Sequence, residues 1–453
     1  MTTRRIDLTR IPAVKFLLVN RWPQFILRTV ALAGFLVVIL AGWLGTPVGS
    51  RNLSIVFVWI GWWALLILAL VPLLGRGWCA ICPIPMAGEW LQQGSLLGPN
   101  PQRPGWGMGR PWPRRLRNIW LQNGGFTLLA LTSAVVLTQP QVTAVILAAF
   151  LFIAVGVSLV FERRAFCRYL CPVGGFIGLY AQTAPIELRV RDTAVCAGHT
   201  DKTCYTGSAA GYGCPWDVFP GGIVKNNNCG LCMECLRTCP HDNIAIQIRP
   251  VGEDLTVSRG RKPDEAYKAF IMLGSALTYS AVMLGPWGWL KSTAYQIGSL
   301  EWMGYAATFL LLIFGLLPGL FYLAVWAGRR GQGSHRQTRQ RFTAYAYALI
   351  PLGLSAWIAF SLAFVFTNLS YIWPVLSDPF GWGWDLWGTA AVSWTPYLTG
   401  FMPPLQLGVL VAGLGGASWT AEKIRREKAG ETAVPVILYC FLLTTGLLWL
   451  LIG

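Results

Sequence analysis

The chain has 453 residues, of which 54% are hydrophobic and 12% charged. Soluble domains carry about 25% charged residues, so an ordinary water-soluble globular protein is excluded. The 36 basic and 19 acidic residues leave a formal charge of +17, which marks either nucleic-acid binding or membrane topology.

The N-terminal stretch MTTRRIDLTRIPAVKFLLVNRW is basic. It lacks the apolar core and small-residue cleavage site of a signal peptide, so no cleavable leader is expected. Nine runs are apolar enough to span a bilayer: 25–45, 53–75, 118–137, 141–161, 267–287, 305–327, 342–367, 398–418 and 434–452. A span takes about 20 such residues. The third and fourth runs meet at the turn LTQPQ and read as a hairpin. With the N-terminus inside, 34 basic residues fall in inside segments, and only Arg51 and Lys291 fall outside. Basic residues flanking spans favour the cytoplasmic face. The excess is therefore topological, no nucleic-acid partner is expected, and nine spans place the C-terminus outside. The outside loop 368–397 is rich in Trp, Tyr and Pro. It reads as an interfacial segment, or as a platform for an outer-face partner.

Twelve cysteines punctuate this frame. RGWCAICP after the second span holds Cys79 and Cys82, and RAFCRYLCP after the fourth holds Cys167 and Cys171. Each unit is a two-span hairpin followed by Arg, an aromatic residue and a Cys–Cys–Pro motif. That is a parallel repeat, and it brings both pairs to one membrane face. Three readings fit four converging thiols: a shared iron–sulfur cluster, a structural zinc, or reversible thiol chemistry. Arg76, Arg163, Arg164 and Arg168 lie close enough in sequence to offset thiolate charge.

Further along, Cys229, Cys232, Cys235 and Cys239-Pro240 have the spacing of a bacterial ferredoxin run, whose fourth cysteine ligates the other cluster. Zinc is the alternative for such thiols. A stretched partner run, CAGHTDKTCYTGSAAGYGCPW, holds Cys196, Cys204 and Cys214-Pro215. The crossed rule joins Cys214, Cys229, Cys232 and Cys235 on one 4Fe-4S cluster. Cys196, Cys204 and Cys239 are left for a second cluster, one ligand short. His199 stands where a Cys-x2-Cys spacing from Cys196 would put that ligand. The alternatives are a three-iron cluster with three thiolates, or a solvated loop histidine. The flanking IELRVRD and NIAIQIRP alternate as short strands do. Cys440, alone in a span, reads as a small apolar residue.

The three histidines, His199, His241 and His335, all fall in inside loops, and no C-x-x-C-H occurs, so no haem is expected. No glycine-rich run marks a nucleotide site, and no charged residue is read as lying mid-span.

The segments CAICPIP, CRYLCPVGGFIGLY, CAGHTDKTCYTGSAAGYGCPW and CGLCMECLRTCP resemble the NosR/NapH-type membrane polyferredoxins over roughly residues 20–265. Three features depart from that pattern. No outer flavin-binding domain of the NosR kind is expected from these residues, the first pair has x2 spacing where the family usually has x3, and 267–453 adds about five spans. The resemblance implies a quinol-linked electron carrier with a cytoplasmic two-cluster domain. The expected fold is a polytopic α-helical membrane protein of about nine spans with an inserted cytoplasmic dicluster ferredoxin-like α+β domain. Its divisions are a hairpin repeat with two Cys-Pro motifs (1–175), the ferredoxin-like domain (176–266) and a C-terminal membrane domain (267–453). The expected role is an electron-transfer subunit of a quinol-linked oxidoreductase complex in the inner membrane, with quinone, lipid and other subunits as partners. A maturation or regulatory ferredoxin that reduces a metal or thiol during assembly of another complex is the alternative.

Overall fold

The computed structural model describes residues 5–100, 102–103, 105–329, 335–427 and 431–453. Arg4, Arg330 and Lys428 of the charge count lie outside them, as do the side chains of His335 and Arg336. The chain is mostly helical with one small sheet. Among the described residues eight helical stretches are long and apolar enough to cross a membrane: Arg21–Leu44, Leu53–Ala80, Pro140–Val160, Pro263–Leu284, Leu300–Ala327, Gln337–Ser377, Thr399–Arg426 and Val434–Ile452.

The expected span 118–137 is the exception and is not among these eight. The segment forms helices Trp120–Leu131 and Ser133–Val136, with a break at Thr132. The Thr132 hydroxyl donates back to the Leu128 carbonyl at 3.0 Å, a bond that bends helices. At ~1.5 Å per residue the longer piece covers roughly 18 Å of a ~30 Å hydrocarbon core.

Packing groups the chain into two compact units. The first comprises Met1–Val37, Ala69–Gln122 and Ile146–Asp254. It holds the sheet, with β1 (Ile6–Asp7), β2 (Ile186–Val190) and β3 (Ile244–Ile248) in the order β1-β3-β2, antiparallel throughout. The strands expected from IELRVRD and NIAIQIRP pair directly, Leu188 opposite Ile246 and Val190 opposite Ile244. Leu188, Ile244 and Ile246 pack with Leu231, Met233, Leu236, Cys204 and Cys235 in one buried core. The thiol segment between the strands is thus anchored on the sheet. Polar bonds fix its entrance. The Asp254 carboxylate accepts the Asn226 N–H at 2.7 Å, and the Asn226 side chain accepts the Leu188 N–H at 3.3 Å.

The second unit comprises Val38–Leu68, Asn123–Val145 and Leu255–Gly453. Helix Leu349–Asn368 packs between Pro263–Tyr279 and Met402–Arg426. Trp357 is buried against Phe126, Tyr279 and Phe360, and its indole N–H reaches the Met272 carbonyl at 3.0 Å. Gln406 donates to the Ala359 carbonyl at 2.9 Å. Polar groups in lipid need such internal partners. Cys440 is buried within Val434–Ile452, in keeping with its apolar reading. Lys268 was counted with an inside loop but lies within Pro263–Tyr279, fully buried, its ammonium 5.2 Å from the Phe126 ring centre.

Candidate functional site

Eleven of the twelve cysteines lie in the first unit, in three sets. The first set is the membrane-face repeat. Helix Leu53–Ala80 ends beyond Gly75, which has φ +56°. A Cβ there would meet Ala181 Cβ at 3.0 Å and its Cα at 3.1 Å, so only glycine admits this turn and approach. The turn delivers Cys79 and Cys82. The second pair comes from the segment Phe166–Leu170 and from Cys171, which caps helix Pro172–Tyr180. Cys79 lies within electrostatic reach of Cys82, Cys167 and Cys171 alike, so the repeat brings all four together. Burial, reinforced by the neighbouring thiols, pushes Cys82 and Cys167 well above the ordinary thiol range and Cys171 up to about 11.

Two of the four named arginines serve this set. Arg76 donates to the Cys167 carbonyl at 3.3 Å, and Arg164 donates to that of Cys79 at 2.6 Å. Glu89, on helix Met86–Gln93, is clamped between Arg164 and Arg28. Burial alone would raise its pKa. The two guanidinium groups more than reverse that and hold it below the usual carboxyl range.

The second set is Cys214, Cys229, Cys232 and Cys235, which line one cavity together with Leu188, Trp216 and Ile223. This is the grouping expected from the crossed spacing. Leu231 and Met233 have φ of 48° and 65°, uncommon for such side chains. Alternating left-handed residues turn successive N–H groups inward, the geometry of a nest for anions and iron–sulfur groups. The Val218 N–H reaches Cys214 Sγ at 3.4 Å, and the backbone N–H groups of Leu231 and Glu234 favour the thiolates of Cys229 and Cys232. Burial nonetheless pushes Cys229 up to about 11 and Cys232 up to about 12. Arg163 and Arg168 serve this set, binding the backbone carbonyls of Cys214 at 3.0 Å and Asp217 at 2.7 Å.

The third set is Cys196, Cys204 and Cys239. The charges of Cys196 and Cys239 act on Cys204, whose thiol burial pushes up to about 11. Asn243 serves two of these sulfurs, its side-chain amide reaching Cys196 Sγ at 3.3 Å and its backbone N–H reaching Cys239 Sγ at 3.4 Å. His199 ends the short helix Thr193–Gly198, and its Nδ1 lies 2.6 Å from the Val195 carbonyl. A carbonyl only accepts, so the neutral ring carries its proton on Nδ1 and its lone pair on Nε2. Its ring centre is 4.4 Å from that of His241.

Among the described residues no three His, Cys, Asp or Glu side chains gather closely enough to hold one metal ion. The second set lines a cavity, and the inward N–H groups of its loop favour thiolates that burial otherwise opposes. Sequence reasoning missed Glu89, Asn243 and Trp216. No local pattern announces them, because each acts through residues distant in the chain.

A second, open cavity reaches Cys232 from the start of the first span. Phe25, Trp90, Leu96 and Leu97 supply apolar wall, and Arg28, Glu89, Arg164 and Tyr212 supply polar wall.

Fold and thiol sets together describe a membrane protein with sites of the 4Fe-4S kind. Two segments, residues 55–104 and 143–191, match the 4Fe-4S binding domain family. The first contains Cys79 and Cys82 and the second Cys167 and Cys171, so the matches fall on the two copies of the repeat. The chain is also similar to YccM of Escherichia coli (strain K12), named as an electron transport protein, with 27% identity over 124 residues. That alignment spans 27% of this chain and 29% of YccM, so the chain matches less than a third of its relative's length. No solved structure matches it. These findings support a membrane-type 4Fe-4S electron-transfer protein.

Proposed function

We propose that the chain is an electron-transfer subunit that links the quinone pool of the inner membrane to a redox partner. The observation that carries this reading is the gathering of three thiol sets in one compact unit, one of them on a repeat whose two copies match the 4Fe-4S family. Cys214, Cys229, Cys232 and Cys235 hold one 4Fe-4S cluster. Cys196, Cys204, Cys239 and His199 hold a second, with Nε2 of His199 as the fourth ligand. Cys79, Cys82, Cys167 and Cys171 hold a third at the membrane face. Such clusters supply reversible one-electron transfer. Arg76, Arg163, Arg164 and Arg168 offset thiolate charge, and the cavity from the first span to Cys232 gives a lipid-dissolved quinone a place to approach. The N-terminus and the ferredoxin-like region face the cytoplasm, by the basic-residue count.

Full-length protein purified anaerobically in detergent should carry about twelve irons per chain, four for each set. His199→Cys should keep that content and lower the potential of one centre, whereas His199→Ala should lose or alter that centre alone. About four irons with zinc present would overturn the multi-cluster reading, and parental spectra in both variants would return His199 to a loop role.

Orientation is tested by fusing a reporter to Gly453. An outside-active reporter requires the broken segment 120–136 to make a ninth crossing. An inside-active one means an even number of crossings and rejects an outside C-terminus.

A further inference from the structure

Trp216 sits between two of the thiol sets. It is 1% exposed and lines the cavity of Cys214, Cys229, Cys232 and Cys235. Its indole N–H has no hydrogen-bond partner, although buried polar groups nearly always have one. The ring lies hard against the thiol loop. A Cβ added at Gly230 would fall 2.3 Å from Trp216 Nε1 and Cε2, so the residue between Cys229 and Leu231 must be glycine. That contact places the unpaired N–H beside the loop that presents the sulfurs.

The ring is also held from the other set. The Arg76 guanidinium lies 4.4 Å from its centre and that of Arg164 5.6 Å. Both arginines are buried, and they are the two that bind the backbone carbonyls of Cys167 and Cys79. Arg76 donates in addition to the Asn227 carbonyl at 2.7 Å, two residues before Cys229. One indole therefore touches the thiol loop on one side and the arginines of the membrane-face repeat on the other.

We propose that Trp216 contacts the sulfur-rich group held by Cys214, Cys229, Cys232 and Cys235, donating its indole N–H to a sulfur and raising the potential of that centre. The inference rests on the cluster assignment above. One-electron reduction adds negative charge to a thiolate-ligated group, and a donor aimed at sulfur favours the more negative state. Arg76 and Arg164 fix the ring in the pose that allows this. A donor of this kind is a residue that tunes the centre, distinct from the cysteines that hold it.

Trp216→Phe keeps most of the ring and removes only the donor. In the full-length protein it should retain parental iron and make one-electron reduction of this centre three- to tenfold less favourable. That is a fall of roughly 30–60 mV at ~59 mV per decade. A parental potential with iron retained overturns the role of Trp216 and leaves the cluster assignment standing. Absence of iron at the four cysteines in the parent overturns both. A second measurement needs no variant. In reduced parent protein carrying indole-15N tryptophan, a nitrogen hyperfine coupling to this centre is expected. No coupling overturns the hydrogen bond.

Discussion

Replacing Cys171 by serine is expected to abolish reduction of the ferredoxin-type centres by quinol while leaving their reduction by dithionite intact. The Cys171 thiol is buried beside Cys79 and Cys167, and its sulfur accepts the Gly174 N–H at 3.2 Å. It also caps helix Pro172–Tyr180, whose N-terminal dipole favours a thiolate there. Serine is among the best N-cap residues, so the helix should survive the change. Its hydroxyl is a poor replacement for a thiolate ligand, so iron should fall by about four per chain. Loss of a bare outer-shell partner costs a metal site 10- to 100-fold, so loss of a ligand should slow quinol-driven reduction by ~100-fold or more. Anaerobic stopped-flow mixing with a short-chain quinol reads the rate. Parental kinetics would remove the membrane-face set from the path and route quinone to the ferredoxin-like region directly.

Glu89→Gln should destabilise the fold strongly. Glu89 is 5% exposed and lies between two arginines, with Arg164 Nη2 at 3.0 Å from its Oε2. Without the carboxylate, the buried Arg164 and the mostly buried Arg28 are left facing each other uncompensated. Breaking a buried ion pair from one side costs about 3–5 kcal/mol. Equilibrium unfolding in mixed micelles measures the loss, and a change below about 1 kcal/mol would reject the argument. Arg164→Met in the Glu89→Gln background should recover part of the stability, since removing both partners costs less than orphaning one. The pH dependence has a definite sign. The folded pKa is depressed, so the carboxylate's contribution is complete above the ordinary carboxyl range. It is lost as pH falls through that range toward the folded value, and acid should narrow the gap between parent and variant.

Much of this architecture is readable from local pattern. Long apolar runs announce the eight membrane-length stretches, and alternation announces β2 and β3. The Cys-x2-Cys-x2-Cys-x3-Cys-Pro spacing pointed to Cys214 as the partner of Cys229, Cys232 and Cys235, and the structure places it in their cavity. The repeat pointed to a meeting of Cys79, Cys82, Cys167 and Cys171. Other features depend on contacts that no window of sequence contains. Strand β1 is two residues long, too short to alternate. The break at Thr132 sits in a run whose hydropathy continues on both sides. Lys268 looked like a loop residue because its apolar neighbours begin only after it, yet its helix starts five residues earlier, at Pro263. Trp216, in a Cys-Pro-Trp triplet, carries no signal beyond its own size.

The pairing of Ile6 with Ile248 has a bearing on biogenesis. The ribosome makes β1 almost first and its partner β3 only after three membrane-length helices and the broken segment 120–136 have been made. Strand β2 has the same wait, because β3 lies between the two. Until residue 248 emerges, the cysteines from 196 to 239 have no completed sheet behind them. Membrane insertion of the first half therefore precedes closure of the iron-binding region, and an apoprotein intermediate with open thiols is a necessary stage of synthesis. Such a stage is exposed to oxidation and to capture of the wrong metal, so iron must be supplied before the sheet closes over open thiols.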